Sequence, residues 1–145
     1  MKRILIINGP NLNLLHLRNK SVYGDLKLDK IASDCQEVAK QIEVEVNFVQ
    51  TNHEGEIIDA IQSAVEHFNG IIINGAAFTH SSVAIRDALE IFTGPKIELH
   101  ISNIYKREDF RQHSFISPVV DGVISGLGAH GYTIALFAIN NMIKS

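Results

Sequence analysis

The chain has a single cysteine and no tryptophan among its 145 residues. One cysteine excludes an intramolecular disulfide, and because no activating motif surrounds Cys35, we interpret it as a small apolar side chain on a helix face. A basic excess is also missing: 13 lysines and arginines stand against 16 acidic residues, a formal net charge of −3. General nucleic-acid binding depends on a basic surface and is therefore disfavoured, whereas a small anionic substrate needs only local positive charge.

Long apolar runs are absent as well. The aliphatic start of the chain, at residues 4–7, is too short for the core of a signal peptide. The apolar run at residues 134–143 is interrupted by Asn140 and Asn141 and is far shorter than a membrane span. We therefore expect a soluble, cytoplasmic protein, and the length of 145 residues predicts a single domain over residues 1–145.

What the sequence does contain is an alternation of short apolar runs and amphipathic stretches. The runs are aliphatic or alternate in polarity and predict strands at residues 3–7, 43–50, 71–73, 96–101 and 122–125. The stretches repeat apolar residues three and four apart and predict helices at residues 28–42, 56–68, 81–92 and 132–143. Since a barrel needs eight strands, this order predicts an α/β fold of the flavodoxin-like, doubly wound type, a five-stranded parallel sheet with helices on both faces.

Polar residues are concentrated directly after the predicted strands. The segments that follow the first four strands contain NGPNLNLLHLRNKSVYG, TNHEGE, NGAAFTH, and HISN with YKREDFRQHS. In an open α/β sheet the ligand crevice lies outside the carboxyl ends of the strands. The sequence therefore predicts a functional site at this edge of the sheet.

The first of these segments, residues 8–24, is long for its position. Connections in such units usually take about 2 to 6 residues, and longer ones are often lids. One interpretation is a solvated loop whose tyrosine packs on the surface. The other is a mobile lid that brings Arg18 beside Tyr23, where a guanidinium favours the phenolate form and makes tyrosine usable as a base.

Four histidines, His53, His80, His100 and His113, follow different strands. A metal site is one explanation, but there is no HExxH motif, no helical i, i+4 pair and no cysteine partner, so we favour hydrogen-bonding or catalytic histidines. His53 by itself fits a cap on the following helix. His100 ends an aliphatic strand beside Glu98, a good position for a general acid.

Motifs for nucleotides and for serine catalysis are missing where they would be needed. No GxGxxG follows the first strand, and no GxxxxGK[ST] or GxSxG occurs. The glycine-rich stretch at residues 126–131 precedes the last helix; it either binds an anion through its amides or, as we favour, forms a tight turn. The lack of tryptophan and of a phosphate loop also counts against the main alternative function, a flavin-binding electron carrier.

Several stretches together are similar to one known family. INGPNLNLL, YG, NHEGEIID, THSSVAIRDAL, ELHISNI, REDFRQHSFISP and G-x-G-x-x-GY resemble type II 3-dehydroquinase, in order and across nearly the whole chain. The resemblance implies a lyase that removes water from 3-dehydroquinate by trans elimination through an enolate, giving 3-dehydroshikimate in the shikimate pathway. It implies no cofactor and no metal, and a homo-oligomer, commonly a dodecamer built as a tetramer of trimers.

The resemblance also implies roles for the residues that match the family's catalytic motifs. Tyr23 is expected to be the base that removes a C2 proton, activated by Arg18, and His100 the acid that protonates the departing C1 hydroxyl. Asn74 is expected to hold a water molecule against the developing enolate oxygen. Asn11 is expected beside these groups, in contact with the substrate.

Further residues are expected to bind the substrate by the same resemblance. Arg111 matches a contact to a ring hydroxyl, and the backbone amides of Ile101 and Ser102 match contacts to the carboxylate. His80 matches another substrate contact. Asp87 matches an acid that a neighbouring subunit contributes, which would make subunit contacts part of the site.

Two segments depart from the family pattern. Where members read Gly-Thr-Arg-Glu-Pro, this chain has His16-Leu17-Arg18-Asn19-Lys20, so we expect an altered lid geometry around a retained arginine. Where members read Asn-Pro-Gly-Ala, this chain has Asn74-Gly75-Ala76-Ala77. Glycine in place of proline has more freedom to lose when the loop becomes ordered, so lower turnover is expected. A catalytically impaired paralogue is the limiting case.

Overall fold

Five parallel strands form one sheet in the computed structural model, which describes residues 1–143. The strands are β1 (Arg3–Asn8), β2 (Glu45–Gln50), β3 (Gly70–Asn74), β4 (Lys96–His100) and β5 (Gly122–Ser125). Their order across the sheet is β2-β1-β3-β4-β5, and every neighbouring pair is parallel. This is the order of flavodoxin-like doubly wound sheets, so the predicted fold is confirmed.

Helices cover both faces of the sheet. They are α1 (Lys20–Tyr23), α2 (Leu28–Gln41), α3 (Glu54–His67), α4 (Val83–Ile91) and α5 (His130–Ile143). Short 3₁₀ helices lie in the connections, at Leu12–Leu17, Ala76–His80, Ile104–Lys106, Asp109–Gln112 and Ser117–Val119. Helices α2 and α5 pack on one face, and α3 and α4 pack on the other.

Strand β1 shows why its sequence is continuously aliphatic. Ile4 and Ile6 lie in the core formed with α2 and α5, whereas Leu5 and Ile7 lie in the core formed with α3 and α4. Successive side chains of a strand point to opposite faces, so a strand covered on both faces has no solvent-exposed position. The apolar run therefore reflects burial on both sides.

Four predicted element starts are wrong by two residues: two helices begin earlier than predicted, at Glu54 and His130, and two elements begin later. The helix predicted from residue 81 begins at Val83, because the Ser82 hydroxyl accepts the Ile85 N–H at 2.9 Å and caps the helix. The strand predicted from residue 43 begins at Glu45, because Glu43 lies in a turn with a φ of +57°. None of the four differences changes the sheet order.

The predicted lid segment, residues 8–24, is folded against the core. It contains the 3₁₀ helix at Leu12–Leu17, with Leu12 and Leu15 buried, and then α1. The sequence prediction missed both helices, because a helix of one or two turns repeats no apolar pattern. Opening of this segment stays a prediction.

In residues 1–143 no helix has the length and hydropathy needed to cross a membrane.

Candidate active site

A cleft lies outside the carboxyl ends of β1, β3 and β4, where the strand order reverses. This switch point is where doubly wound sheets bind ligands. Asn8 and Asn74, the last residues of β1 and β3, are partners in the strand register. The backbones beyond them run close together: a Cβ at Gly9 would lie 2.5 Å from the Gly75 carbonyl oxygen, so this approach requires glycine. The cavity volume is about 120 Å³.

Most of the residues predicted for the site line this cleft. Those that do are Asn11, Arg18, Tyr23, Asn74, His80, His100, Ile101, Ser102 and Arg111. Asp87 does not, because it is exposed on α4. Residues that line the cleft but were not predicted are Pro10, Leu12, Ala76, Ala77, Ile104 and Arg107. The walls thus carry three arginines, which suits an anionic ligand.

Tyr23 and Arg18 meet at the outer wall of the cleft, as predicted. Tyr23 ends α1 and is only 8% exposed. The Arg18 guanidinium carbon lies 4.5 Å from the centroid of the Tyr23 ring. This is the geometry of a cation–π contact, so Arg18 acts on the face of the ring.

Arg107 is the functional candidate that the sequence prediction missed. Its Nη1 donates to the Tyr23 hydroxyl at 2.8 Å and to the Ser102 hydroxyl at 3.2 Å, and its side chain is 16% exposed. This hydrogen bond places a positive charge directly beside the phenol oxygen. The signal was present in the REDFRQHSFISP stretch, which begins at Arg107, but only its second arginine, Arg111, was assigned.

His100 is held by a buried carboxylate below the cleft. Its Nε2 donates to Glu98 Oε2 at 2.5 Å, and Glu98 is fully buried. The Glu98 carboxylate also accepts hydrogen bonds from the hydroxyls of Ser114, at 3.0 Å, and Ser117. Burial alone would raise the pKa of Glu98, but the hydrogen bonds and charge of His100 and the two serine hydroxyls lower it below its ordinary value.

The Glu98 carboxylate determines which His100 nitrogen is left free to bind a ligand. A carboxylate only accepts hydrogen bonds, so Nε2 carries a proton and is occupied by Glu98, while Nδ1 is the nitrogen that remains for a ligand. The structure thus brings His100 and Glu98 into contact, as expected from their positions on the strand, and the role of His100 as a general acid stays a prediction.

His80 lies next to His100, and its environment favours the neutral form. The two ring centroids are 6.3 Å apart and nearly parallel. Burial lowers the pKa of His80; the hydrogen bond to the His113 carbonyl opposes this shift, and the charges of His100 and Arg111 add to it. Because that carbonyl accepts from Nδ1 at 2.8 Å, the neutral ring carries its proton on Nδ1 and leaves Nε2 as an acceptor.

The other two histidines lie outside the cleft. His53 occupies the position before α3, but its side chain makes no capping hydrogen bond, so that interpretation is wrong. His113 is exposed and contributes its backbone carbonyl to His80. In the described part of the chain, residues 1–143, no three His, Cys, Asp or Glu side chains are grouped to hold a metal ion.

The glycine-rich stretch at residues 126–131 forms a turn against β4. Gly126 and Gly128 have positive φ angles, and their N–H groups donate to the carbonyls of His100 and Ile101. These amides are therefore occupied by the strand end, in agreement with the favoured interpretation of a tight turn. The turn helps to hold the segment that carries His100.

Comparison with known proteins agrees with this geometry. The family model described as dehydroquinase class II matches residues 2–140. A 3-dehydroquinate dehydratase from Acaryochloris marina is 52% identical over 142 residues, covering 98% of this chain and 95% of the relative. One from Endomicrobium trichonymphae is 50% identical over 144 residues, covering 99% of each chain. The crystal structure of type II dehydroquinase from Butyrivibrio crossotus has a TM-score of 0.93 at 46% identity and covers 96% of this chain and 97% of its own. The chain therefore belongs to the dehydroquinase class II family.

Proposed function

We propose that this protein dehydrates 3-dehydroquinate to 3-dehydroshikimate, with Tyr23 as the base and His100 as the acid. The observation that carries the proposal is the cleft itself. It combines a phenol bonded to Arg107 with a histidine backed by a buried carboxylate. Relatives that share half of the sequence are named 3-dehydroquinate dehydratase.

The first step is removal of a proton from C2 of the substrate. This carbon lies beside the ketone, so the electron pair of the broken C–H bond moves onto the ketone oxygen and forms an enolate. A weak carboxylate base is a poor match for such a proton. Tyr23 as phenolate is a stronger base, and the positive charges of Arg18 and Arg107 lie against its ring and its oxygen.

The second step is loss of the C1 hydroxyl. The enolate electrons form the C1–C2 double bond while the C1–O bond breaks, and the departing oxygen takes a proton from His100 to leave as water. The proton comes from Nδ1, because Nε2 stays bonded to Glu98. Glu98 supports the protonated ring that delivers it.

Asn74 and Asn11 supply fixed polar groups where negative charge develops. Both line the cleft. Asn74 holds a water molecule against the enolate oxygen, and Asn11 contacts the substrate beside it. Donors that are already oriented stabilise an enolate without the cost of reorganising solvent.

The remaining polar groups bind the ends of the substrate. The backbone amides of Ile101 and Ser102 hold the carboxylate, and Arg111 contacts a ring hydroxyl. The neutral form of His80 offers Nε2 as an acceptor for another hydroxyl. Arg111 is kept in place by Glu108, whose Oε1 accepts from its Nε at 3.1 Å.

A homo-oligomer, in the form of a dodecamer made of four trimers, is part of this proposal. The support is the family resemblance together with the face of α4 that carries Val83, Asp87 and Ile91. These residues are four apart, all three are exposed, and two of them are apolar. In such an assembly Asp87 enters the cleft of a neighbouring subunit. A cytoplasmic location is likewise proposed from the sequence.

The test of the function is direct, because the product is conjugated and absorbs in the ultraviolet. Purified protein mixed with 3-dehydroquinate should produce this absorbance at a rate proportional to protein concentration. Tyr23→Phe should remove most of it, and the exposed Tyr105→Phe serves as the control. A wild-type protein that forms no product would contradict the proposal.

A second test addresses the chemical class of the reaction. The mechanism uses neither a metal ion nor an imine between a lysine and the ketone. Borohydride added with substrate should leave the protein mass unchanged, and a chelator should leave the rate unchanged. Inactivation by either reagent would require a different mechanism.

A further inference from the structure

A buried polar network, made of the side chains of Asn8, Tyr132 and Asn74, lies below the cleft. The Tyr132 hydroxyl, on α5, donates to Asn8 Oδ1 at 2.7 Å, and Asn74 Nδ2 donates to the Tyr132 oxygen at 3.0 Å. Tyr132 and Asn8 are 0% exposed and Asn74 is 3% exposed. The polar network lies at the β1–β3 switch point and links the core to the floor of the cleft.

Each hydrogen bond in the polar network has a defined direction. Asn8 Nδ2 donates to the Val49 carbonyl at 3.0 Å, so its Oδ1 is the atom that faces Tyr132. The Tyr132 proton is then committed to Asn8, and the Tyr132 oxygen must accept from Asn74. At the other end, Asn74 Oδ1 accepts the Ala76 N–H at 3.2 Å. The backbone at both ends thus determines the orientation of every side chain between them.

This arrangement holds the Asn74 amide by both its nitrogen and its oxygen. One N–H is bonded to Tyr132 and one lone pair of the oxygen accepts from Ala76. A side-chain amide has two N–H groups and two lone pairs, so one of each is left for a ligand in the cleft. Without the Tyr132 oxygen the amide would lose one of the contacts that prevent it from turning over.

The two tyrosines near the cleft differ in their surroundings. Tyr23 lies at the cleft wall with two arginines, whereas Tyr132 is enclosed by the core. Burial raises the pKa of the Tyr132 phenol, and the hydrogen bond from Asn74 offsets this only in part. Tyr132 therefore keeps its proton and acts as a fixed donor and acceptor.

We propose that Tyr132 is a positioning residue for the dehydration: together with Asn8, it holds the Asn74 amide in the orientation that the developing enolate needs. The proposal rests on the proposed function, since it names the residues that prepare one of that site's groups. Tyr132 touches no substrate. Its effect on the reaction passes through Asn74.

The first experiment is the variant Tyr132→Phe, assayed with 3-dehydroquinate. Loss of a fixed orientation at a charge-developing atom should lower kcat about 10- to 100-fold, with a smaller change in KM, because misplacement by about 1 Å is enough for such a loss. Asn8→Ala, which removes the other end of the polar network, should also lower kcat. An unchanged kcat in both variants would overturn the proposal.

A double-mutant cycle separates positioning from stability. In an Asn74→Ala background, Tyr132→Phe should cause no further loss of kcat, because the group it positions is gone. Equal losses in both backgrounds would overturn the proposal. The matched control is Ile139→Val, a substitution at a buried position of the same helix that leaves the polar network intact. It should lower the melting temperature and leave kcat unchanged.

A structural readout distinguishes failure of this inference from failure of the function. The crystal structure of Tyr132→Phe should show the Asn74 amide rotated away from its wild-type orientation. If the wild-type protein is inactive on 3-dehydroquinate, the function is wrong, and the rotation still tests the positioning role. An unrotated Asn74 amide would overturn the inference whatever the activity.

Discussion

At the residue scale, Tyr23 receives positive charge from two directions. Arg18 lies over the face of the ring, and Arg107 bonds to the hydroxyl oxygen. Only the second contact is made to the atom that carries the charge of a phenolate. The two arginines therefore make different contacts: Arg107 holds the position of the oxygen, while Arg18 covers the ring from the segment at residues 8–24.

This difference predicts that Arg107→Ala is a strongly impaired variant. A hydrogen bond to a charged group contributes about 1.5 to 3 kcal/mol, which corresponds to a loss of kcat of about 10- to 100-fold. Tyr23→Phe should lose about 10²- to 10⁴-fold, the usual contribution of general base catalysis. The measurement is steady-state kinetics, with the exposed neighbour Lys106→Ala as the control. Near-normal turnover in Arg107→Ala would mean that Arg18 alone supports the base.

For His100, the acid role predicts a separation of two chemical steps. His100→Asn should block elimination, because the departing hydroxyl receives no proton, while Tyr23 and the enolate donors remain. In deuterated water, exchange at C2 of 3-dehydroquinate can then continue without formation of product. Mass spectrometry of the recovered substrate, together with the ultraviolet assay, measures both steps. Product formation at close to the normal rate would move the acid to another residue, with His80 as the next candidate.

At the element scale, the loop after β3 shows how this chain differs from the family pattern. Gly75, where members have proline, has a φ of −72°, which an ordinary residue adopts. Ala76, where members have glycine, has a φ of +51°, in the left-handed region that favours glycine. The strain in this loop therefore lies at Ala76, one residue after the exchange of proline for glycine at position 75.

This location predicts that Ala76→Gly stabilises the protein. The left-handed conformation costs an ordinary residue about 1 to 2 kcal/mol, and the greater freedom of glycine in the unfolded chain removes part of the gain. We expect the free energy of unfolding to rise by about 0.5 to 1 kcal/mol, measured by urea denaturation. Gly75→Ala is the matched control and should be destabilising, because its Cβ would lie 2.7 Å from Thr79 Oγ1. A loss of stability in Ala76→Gly would show that the loop is not strained there.

At the scale of the whole molecule, the position of Asp87 concerns assembly. It lies outside the cleft of its own chain, on the exposed face of α4 between Val83 and Ile91. An acid at that position reaches a cleft only if another copy of the chain packs against α4. The proposed oligomer and the proposed site are therefore linked through this one helix.

This link predicts that a charge placed on α4 disturbs mass and activity together. Ile91→Glu should lower the molar mass measured by light scattering and reduce turnover, because a buried unpaired charge disfavours the subunit contact. Val65→Glu, on the exposed face of α3, introduces the same charge elsewhere and should change neither. A wild-type protein that is monomeric and fully active would exclude a role for Asp87 from a second chain.

The sequence by itself determined the layers of the fold and most of the walls of the cleft. Central strands such as β3 are buried on both faces and must be continuously apolar, as at residues 71–73. Helices must repeat their apolar residues every three or four positions, so local patterns carry this information. Polar residues after the strands marked the site, because the carboxyl ends of parallel strands share one edge. These are periodic or positional signals, and each is contained in a short stretch of chain.

Only the tertiary structure decided which side chains meet. Arg107 bonds to Tyr23 across 84 positions, and Tyr132 bonds to Asn8 across 124. Such contacts leave no period in the sequence, since each depends on how helices and loops from distant segments pack around the sheet. The strain at Ala76 has the same origin: its φ of +51° is set by a loop packed against neighbouring backbone, a condition that exists only once the chain is folded.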